Sequence, residues 1–295
     1  MTQNKAATMR ILRPSPHIMA FYDGRIEGRR LHSPEPNWLD DGGYTLGTCS
    51  YAIVDGDDAL IYDTHMSIDH ARAIRLAVEA TGATNIRVVL SHHHLDHIAG
   101  NAVFADCEIL SNAATRDAME AERQAAEDAD PPVAPVIMPT RVFDTALDLY
   151  VGGIEVLCQS FDIHSRDGLC LLIPETGEFL AGDTLEDTVT YVAEPDRLEV
   201  HLPELDRMAG LDIRHILPNH GAEEIIAAGG YSTALIGATS RYVQALLDCR
   251  ADCDRAALPL KEFVRDDIAS GALVYHQAYE PVHARNVSAV QALPG

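Results

Sequence analysis

Within seven residues, Ser91-His92-His93-His94-Leu95-Asp96-His97, the chain places four imidazoles and a carboxylate. Buried without partners, such nitrogens would cost roughly 1–3 kcal/mol each. A divalent metal satisfies them and favours their neutral form. The competing explanation is a surface histidine tract or a tag remnant. The run is internal, however, contains Leu95 and Asp96, and follows the apolar segment Ile86-Arg87-Val88-Val89-Leu90. Tight His/Asp spacing of this kind is what a metal-ligand set needs. Three later positions share the setting, each a metal-type side chain beside apolar strand residues: His164 in Phe161-Asp162-Ile163-His164-Ser165, Asp183 in Gly182-Asp183-Thr184, and His220 in Pro218-Asn219-His220-Gly221. Taken singly, each reads as a satisfied polar group or a turn. With the first run they read as one site.

The elements that must position these residues follow from periodicity. Residues 51–54 and 59–62 are short apolar runs around Asp55-Gly56-Asp57-Asp58, a hairpin signature because Asp and Gly tolerate the turn's positive φ. Ser67 caps an expected helix with Ile68, Ala71, Ile74, Ala77 and Val78 at helical spacing, and Gly82 stops it. Strand 86–90 then delivers the histidine run at its C-terminal end, where α/β folds place chemistry. A strand at 107–110, a helix from about Asn112 to Glu127, and strands near 147–151, 154–161, 168–173 and 178–181 continue the pattern. A helix at 203–208, a strand at 213–217 and helices after 231 complete it. The Pro-rich stretch 128–135 is a loop, either a lid over the site or a plain surface connection. Residues 1–48, broken by Pro14, Pro16, Pro34 and Pro36, read as an extended arm with one or two short strands. The expected organisation is an arm at 1–48, a catalytic domain at 49–228 and a helical extension at 229–295.

A formal charge of −23 argues against polyanionic partners, which bind clustered Lys and Arg. No apolar stretch suits a membrane span and the N-terminus lacks a signal-peptide pattern, so a cytoplasmic location is expected. The six cysteines lack a C-x-x-C pair and read as reduced; Cys249 and Cys253 are expected on one helix face. The arm and the C-terminal helices, outside the motif-bearing core, are the surfaces expected to support a homodimer.

The series His-x-His-x-Asp-His, His, Gly-Asp-Thr and a final strand-end His resembles the metallo-β-lactamase fold superfamily over residues 50–222. The resemblance implies an α/β fold, a four-layer αβ/βα sandwich, with two divalent metal ions at one edge. By matching position it implies that His92, His94 and His164 hold the first metal, that Asp96, His97 and His220 hold the second, and that Asp183 bridges them. His93 and Leu95 fall at variable positions. Imidazole and carboxylate ligands suit Zn, Fe or Mn, with Zn the default. One departure is Asp162-Ile163 before His164, where Pro and Gly-His are common in the family.

Two dications deprotonate a water between them near neutral pH and polarise a carbonyl, so hydrolysis is the expected reaction. Asp96 is the candidate to orient the nucleophile and pass its proton to the leaving group. The final-motif Cys or missing bridging Asp of the family's true β-lactamases is not found. The intact set looks more like lactonases and glyoxalase II-type thioesterases, and a small carboxylic ester or lactone is the favoured substrate. A thioester is the alternative, ahead of a β-lactam or phosphodiester; an iron-dependent oxidoreductase of the same fold is the reading from another class. Where quorum-signal lactonases tend to carry Tyr, three residues after Asp183, this chain has Glu186; Tyr191 is the candidate substitute, so these two are the weak candidates for contacting substrate.

Overall fold

The apolar runs around Tyr51 and Leu60 become the centre of a large sheet because they bury side chains on both of its faces. The computed structural model describes residues 4–293. Its first sheet has seven strands in sequential order: β1 (Arg10–Leu12), β2 (Ile18–Asp23), β3 (Thr48–Asp55), β4 (Asp58–Tyr62), β5 (Asn85–Val89), β6 (Glu108–Asn112) and β7 (Arg141–Phe143). The second runs β12-β11-β10-β9-β8, with β8 (Ala146–Val151), β9 (Ile154–Ser160), β10 (Leu169–Ile173), β11 (Glu178–Gly182) and β12 (His215–Pro218). Ile18, Ala20, Tyr22, Tyr51 and Ile53 join the core shared with the second sheet. The alternate residues Met19, Phe21 and Ala52 pack with helical Ala71, Ile74 and Val78 on the outer face. Burial on both faces explains why these strands read as continuous apolar runs.

Crossovers set the direction of the strands. The β3–β4 hairpin is antiparallel, with Asp55 opposite Asp58. Helix α1 (Ile68–Glu79) then returns the chain to a β5 parallel to β4, as a parallel pair requires. Ser67 Oγ accepts from His70 N at the start of α1, the expected cap. After the single turn α2 (Leu95–Ile98), helices α3 (Ala113–Ala121) and α4 (Arg123–Glu127) occupy the expected 112–127 segment. They break only at Glu122, whose N–H still bonds Ala118 O and whose carbonyl accepts from Ala126 N. On the other side, α5 (Leu198–Ala209) starts five residues before Pro203 because Leu198 and His201 are buried and anchor its first turns. It packs against the later helix Ala234–Asp248.

The C-terminal part carries α6 (Glu223–Ala227), α7 (Ala234–Asp248), α8 (Cys253–Ala256), α9 (Leu260–Phe263), α10 (Arg265–Ser270) and α11 (Glu280–Gln291). Helices therefore cover both outer faces of the stacked sheets, the αβ/βα sandwich. Cys249 and Cys253 do not share a helix: α7 ends at Asp248, and the turn that follows leaves Cys249 buried and Cys253 exposed at the start of α8. The arm supplies β1 and β2. Among the described residues no helix is long and apolar enough to cross a membrane.

Candidate metal centre

Every predicted metal ligand lies in the segment that follows the C-terminal end of a strand, all at one edge of the sandwich. β5 leads into Ser91–His97, β9 into the loop carrying His164, β11 into Asp183 and β12 into His220. Asp183 follows Gly182, whose φ is +57°. A Cβ there would lie 2.9 Å from Tyr62 Oη and 3.0 Å from Ser91 Cβ, so the Gly in Gly-Asp-Thr is a steric requirement.

The seven side chains converge as two groups: His92, His94, His164 and Asp183, and Asp96, His97 and His220, with ligand-type atoms within 4.8 Å of one another in each. Asp183 Oδ2 joins them. It lies 3.5 Å from His92 Nε2, 3.7 Å from His164 Nε2, 3.1 Å from His97 Nε2 and 3.4 Å from His220 Nε2. Asp96 Oδ2 is 3.2 Å from His220 Nε2. His93 turns elsewhere: its amide and Nδ1 meet the buried Asp167 at 2.9 and 3.0 Å.

Outer hydrogen bonds decide which nitrogen each imidazole presents. His164 Nδ1 faces Tyr191 O at 2.9 Å and His220 Nδ1 faces Gly47 O at 2.7 Å; a carbonyl only accepts, so both Nδ1 atoms carry the proton. His97 Nδ1 likewise meets Asp63 Oδ2 at 3.0 Å, and His92 Nδ1 meets Ser91 Oγ at 2.9 Å. The Nε2 lone pairs of all four therefore point to the centre, the arrangement outer partners impose on metal-bound imidazoles. His92 Nε2 and Asp183 Oδ1 are buried without a hydrogen-bond partner. Burial pushes His92 well below the ordinary imidazole range and His94 down to about 3, leaving neutral donors. Burial works the same way on His97 and His220, but the Asp183 and Asp96 carboxylates outweigh it and hold both well above their ordinary value. The buried Asp183 and the partly buried Asp96 thus recruit positive charge, and convergent lone pairs with two orphaned atoms are what divalent cations satisfy. The residues fit the metals.

Asp63 escaped the sequence reading. Its Oδ1 accepts from Ser91 N at 2.6 Å, and its Oδ2 accepts from Ser91 Oγ, Asn219 Nδ2 and His97 Nδ1 at 2.6, 2.5 and 3.0 Å. It follows β4 as His92 follows β5, so its strand-end position was the available signal. Asp63, His65 and His164 all have positive φ, +66°, +69° and +68°, a conformation costly outside glycine and here held by surrounding bonds. For His164, that backbone stands where Gly-His is common.

Glu186 and Tyr191 both line a cleft above the cluster. Glu186 is buried; it accepts from Tyr191 N at 2.8 Å and Tyr279 Oη at 3.1 Å and lies 3.4 Å from His164 Nδ1, so it orients that imidazole. Tyr191 is half-buried on the wall of this cleft, which has a volume of about 530 Å³. The same wall includes Trp38, Gly43, Leu46, Leu95 and Asp96. No residue of 128–140 lines it; that loop only braces it, Pro131 O accepting from Trp38 Nε1 at 2.7 Å.

Two stacked sheets with a two-part His/Asp cluster at the strand ends define an αβ/βα protein with candidate metal-binding groups at one edge. The profile of the metallo-beta-lactamase superfamily matches residues 44–220, and the chain belongs to that superfamily, whose members are mostly metal-dependent hydrolases. No curated protein matches it. Among solved structures it is similar to a metallo-beta-lactamase from Pontibacter korlensis, with 11% identity and a TM-score of 0.62 over 80% of this chain and 99% of that one. It is also similar to DIM-1 metallo-beta-lactamase exposed to ceftazidime, with 17% identity and TM-score 0.58 over 80% and 96% of the two chains. VMB-1 gives 13% identity and TM-score 0.60 over 80% and 97%. At these identities the likeness is one of fold.

Proposed function

We propose that the protein is a binuclear metal-dependent hydrolase acting on a carboxylic ester or lactone. The observation that carries this is Asp183 Oδ2, within 3.7 Å of imidazole nitrogens from both ligand groups while its Oδ1 is unpartnered. His92, His94 and His164 would hold one divalent ion, Asp96, His97 and His220 the other, and Asp183 both. When bound, such a pair lowers the pKa of water and polarises a carbonyl oxygen.

The chain's own residues do the rest. Asp63, Glu186, Tyr191 O and Gly47 O hold three imidazoles, those of His97, His164 and His220, in one tautomer and orientation. Asp96 is the carboxylate turned to the cleft, its side chain 17% exposed against 4% for Asp183. Its position on the cleft side of the cluster is what suits it to orient a nucleophile and pass a proton to a leaving oxygen. Trp38, Leu46 and Leu95 give the cleft an apolar wall that keeps the acyl group away from bulk water.

The test is metal analysis with a panel of lactones, aryl esters, thioesters, β-lactams and phosphodiesters. Two ions per chain, with lactone or ester hydrolysis abolished by chelation and restored by metal, is the expected result. One redox-active iron per chain with oxygen consumption, or turnover confined to phosphodiesters, overturns it.

A further inference from the structure

We propose that Arg285 selects substrates bearing a carboxylate, a specificity role that rests on the ester or lactone reading above. Arg285 lies on α11, and among the described residues it is the sole Lys or Arg lining the cleft, whose other ionisable walls include Asp41, Asp96, Glu122 and Asp183. Its guanidinium lies over the Tyr191 ring, 4.8 Å from the centroid. Tyr191 in turn packs against His164, centroids 5.8 Å apart. The cation is thus one aromatic ring removed from a candidate metal ligand.

Two features make this a built position. Asn286, next in the chain and fully buried, donates to Thr190 O at 3.0 Å and accepts from Val192 N at 3.0 Å, so it clamps α11 to the residues on either side of Tyr191. Stacking holds the guanidinium by its face and leaves its in-plane N–H donors unspent. None of them has a hydrogen-bond or ion-pair partner among the described residues, although 45 acidic residues are available in the chain against 22 basic ones. An unpaired, pre-oriented fork at the rim of a small-molecule cleft matches a carboxylate bidentately. With Trp38, Leu46, Pro281 and Val282 beside it, the cleft suits an ester or lactone whose apolar body ends in that carboxylate.

The experiment uses the full, metal-loaded chain and its Arg285→Gln and Arg285→Lys variants, each first checked for unchanged metal content. Calorimetry measures binding of glutarate against butyrate, which share one carboxylate and differ in the second. Wild type is expected to bind glutarate about 10- to 100-fold more tightly, the worth of one charge-assisted pair, and less so at high salt. Arg285→Gln is expected to remove this preference and Arg285→Lys to restore part of it. The kcat/KM ratio of mono(4-nitrophenyl) glutarate over 4-nitrophenyl butyrate is expected to fall with it. No preference in wild type, or a preference that survives Arg285→Gln, overturns the role of Arg285 even if both esters are hydrolysed. If neither ester is hydrolysed while the binding preference follows Arg285, the arginine assignment stands and the hydrolase reading falls.

Discussion

Asp63→Asn removes one charge from a position that touches no substrate, and its effect can be worked from four hydrogen bonds. The cheaper amide orientation keeps an oxygen at the Oδ2 position for Ser91 Oγ, Asn219 Nδ2 and His97 Nδ1, and turns the NH2 toward the Ser91 amide. That amide is then an orphaned buried donor, at about 1–3 kcal/mol. The other three bonds pass from a charged to a neutral acceptor and weaken by about 1 kcal/mol each. The total, about 5 kcal/mol, is comparable with the stability of many whole domains. It is to be read in excess chelator by urea denaturation of both proteins. The bond that orients His97 also passes to a neutral acceptor, so the ion this imidazole helps to hold should bind about 10- to 100-fold more weakly. The ion assigned to His92, His94 and His164 should change less. Stepwise titration against a chromophoric chelator separates the two constants. If Asp63→Asn binds both ions with wild-type constants, the claim that this carboxylate sets the imidazole of His97 is wrong.

Asp183→Ala removes the oxygen shared by both groups and should lower metal content below two ions per chain and reduce turnover by orders of magnitude; unchanged stoichiometry by elemental analysis would refute the shared-ligand assignment. His93→Ala should keep both ions, because its ring bonds Asp167 and not the cluster; loss of one shows that the ligand register is misread. His201 is fully buried with neither ring nitrogen partnered, and burial pushes it down to about 4 from 6.5. Its folded form resists protonation, so stability is complete above pH 6.5 and is lost as pH falls toward 4. The linkage amounts to about 2 kcal/mol between pH 7.5 and 5. His201→Leu should erase that loss, measured as the difference between variant and wild-type unfolding in chelator at the two pH values; parallel pH profiles would contradict it.

Much of the core was legible because its signals are local. The turn at Asp55–Asp58, the cap at Ser67 and the strand before His92 depend on neighbours within a few residues, and each formed as the pattern required. β7 was not legible: three residues pair with β6 at Leu110, Ser111 and Asn112, too short a run for any period to appear. The helix across Pro203 was misplaced for a different reason. Proline is a local deterrent, and burial of Leu198 and His201 overrode it.

The metal centre divides along the same line. The candidate metal ligands follow strands, so polar side chains after an apolar run marked all seven positions, and the same signal would have marked Asp63. Glu186 left no such trace. Its place in the site depends on Tyr279, 93 residues later, and on the path of the 187–191 loop. The cleft walls are less legible still, since Trp38, Leu46 and Arg285 meet only in the folded chain.

That separation says where the chemistry of this protein is fixed and where it is tuned. The strand ends carrying His92, Asp183 and His220 are held by two sheets, whereas much of the cleft rim comes from segments before residue 44 and after residue 220, beyond the stretch that matches the superfamily. The two segments are tied together. Arg25 Nε donates to Leu46 O and Nη2 to Asp187 O, both at 2.7 Å, and its guanidinium lies over Tyr279. Tyr279 bonds Glu186, which sits 3.4 Å from His164 Nδ1. The C-terminal segment is therefore joined to a candidate metal ligand through one tyrosine and one carboxylate.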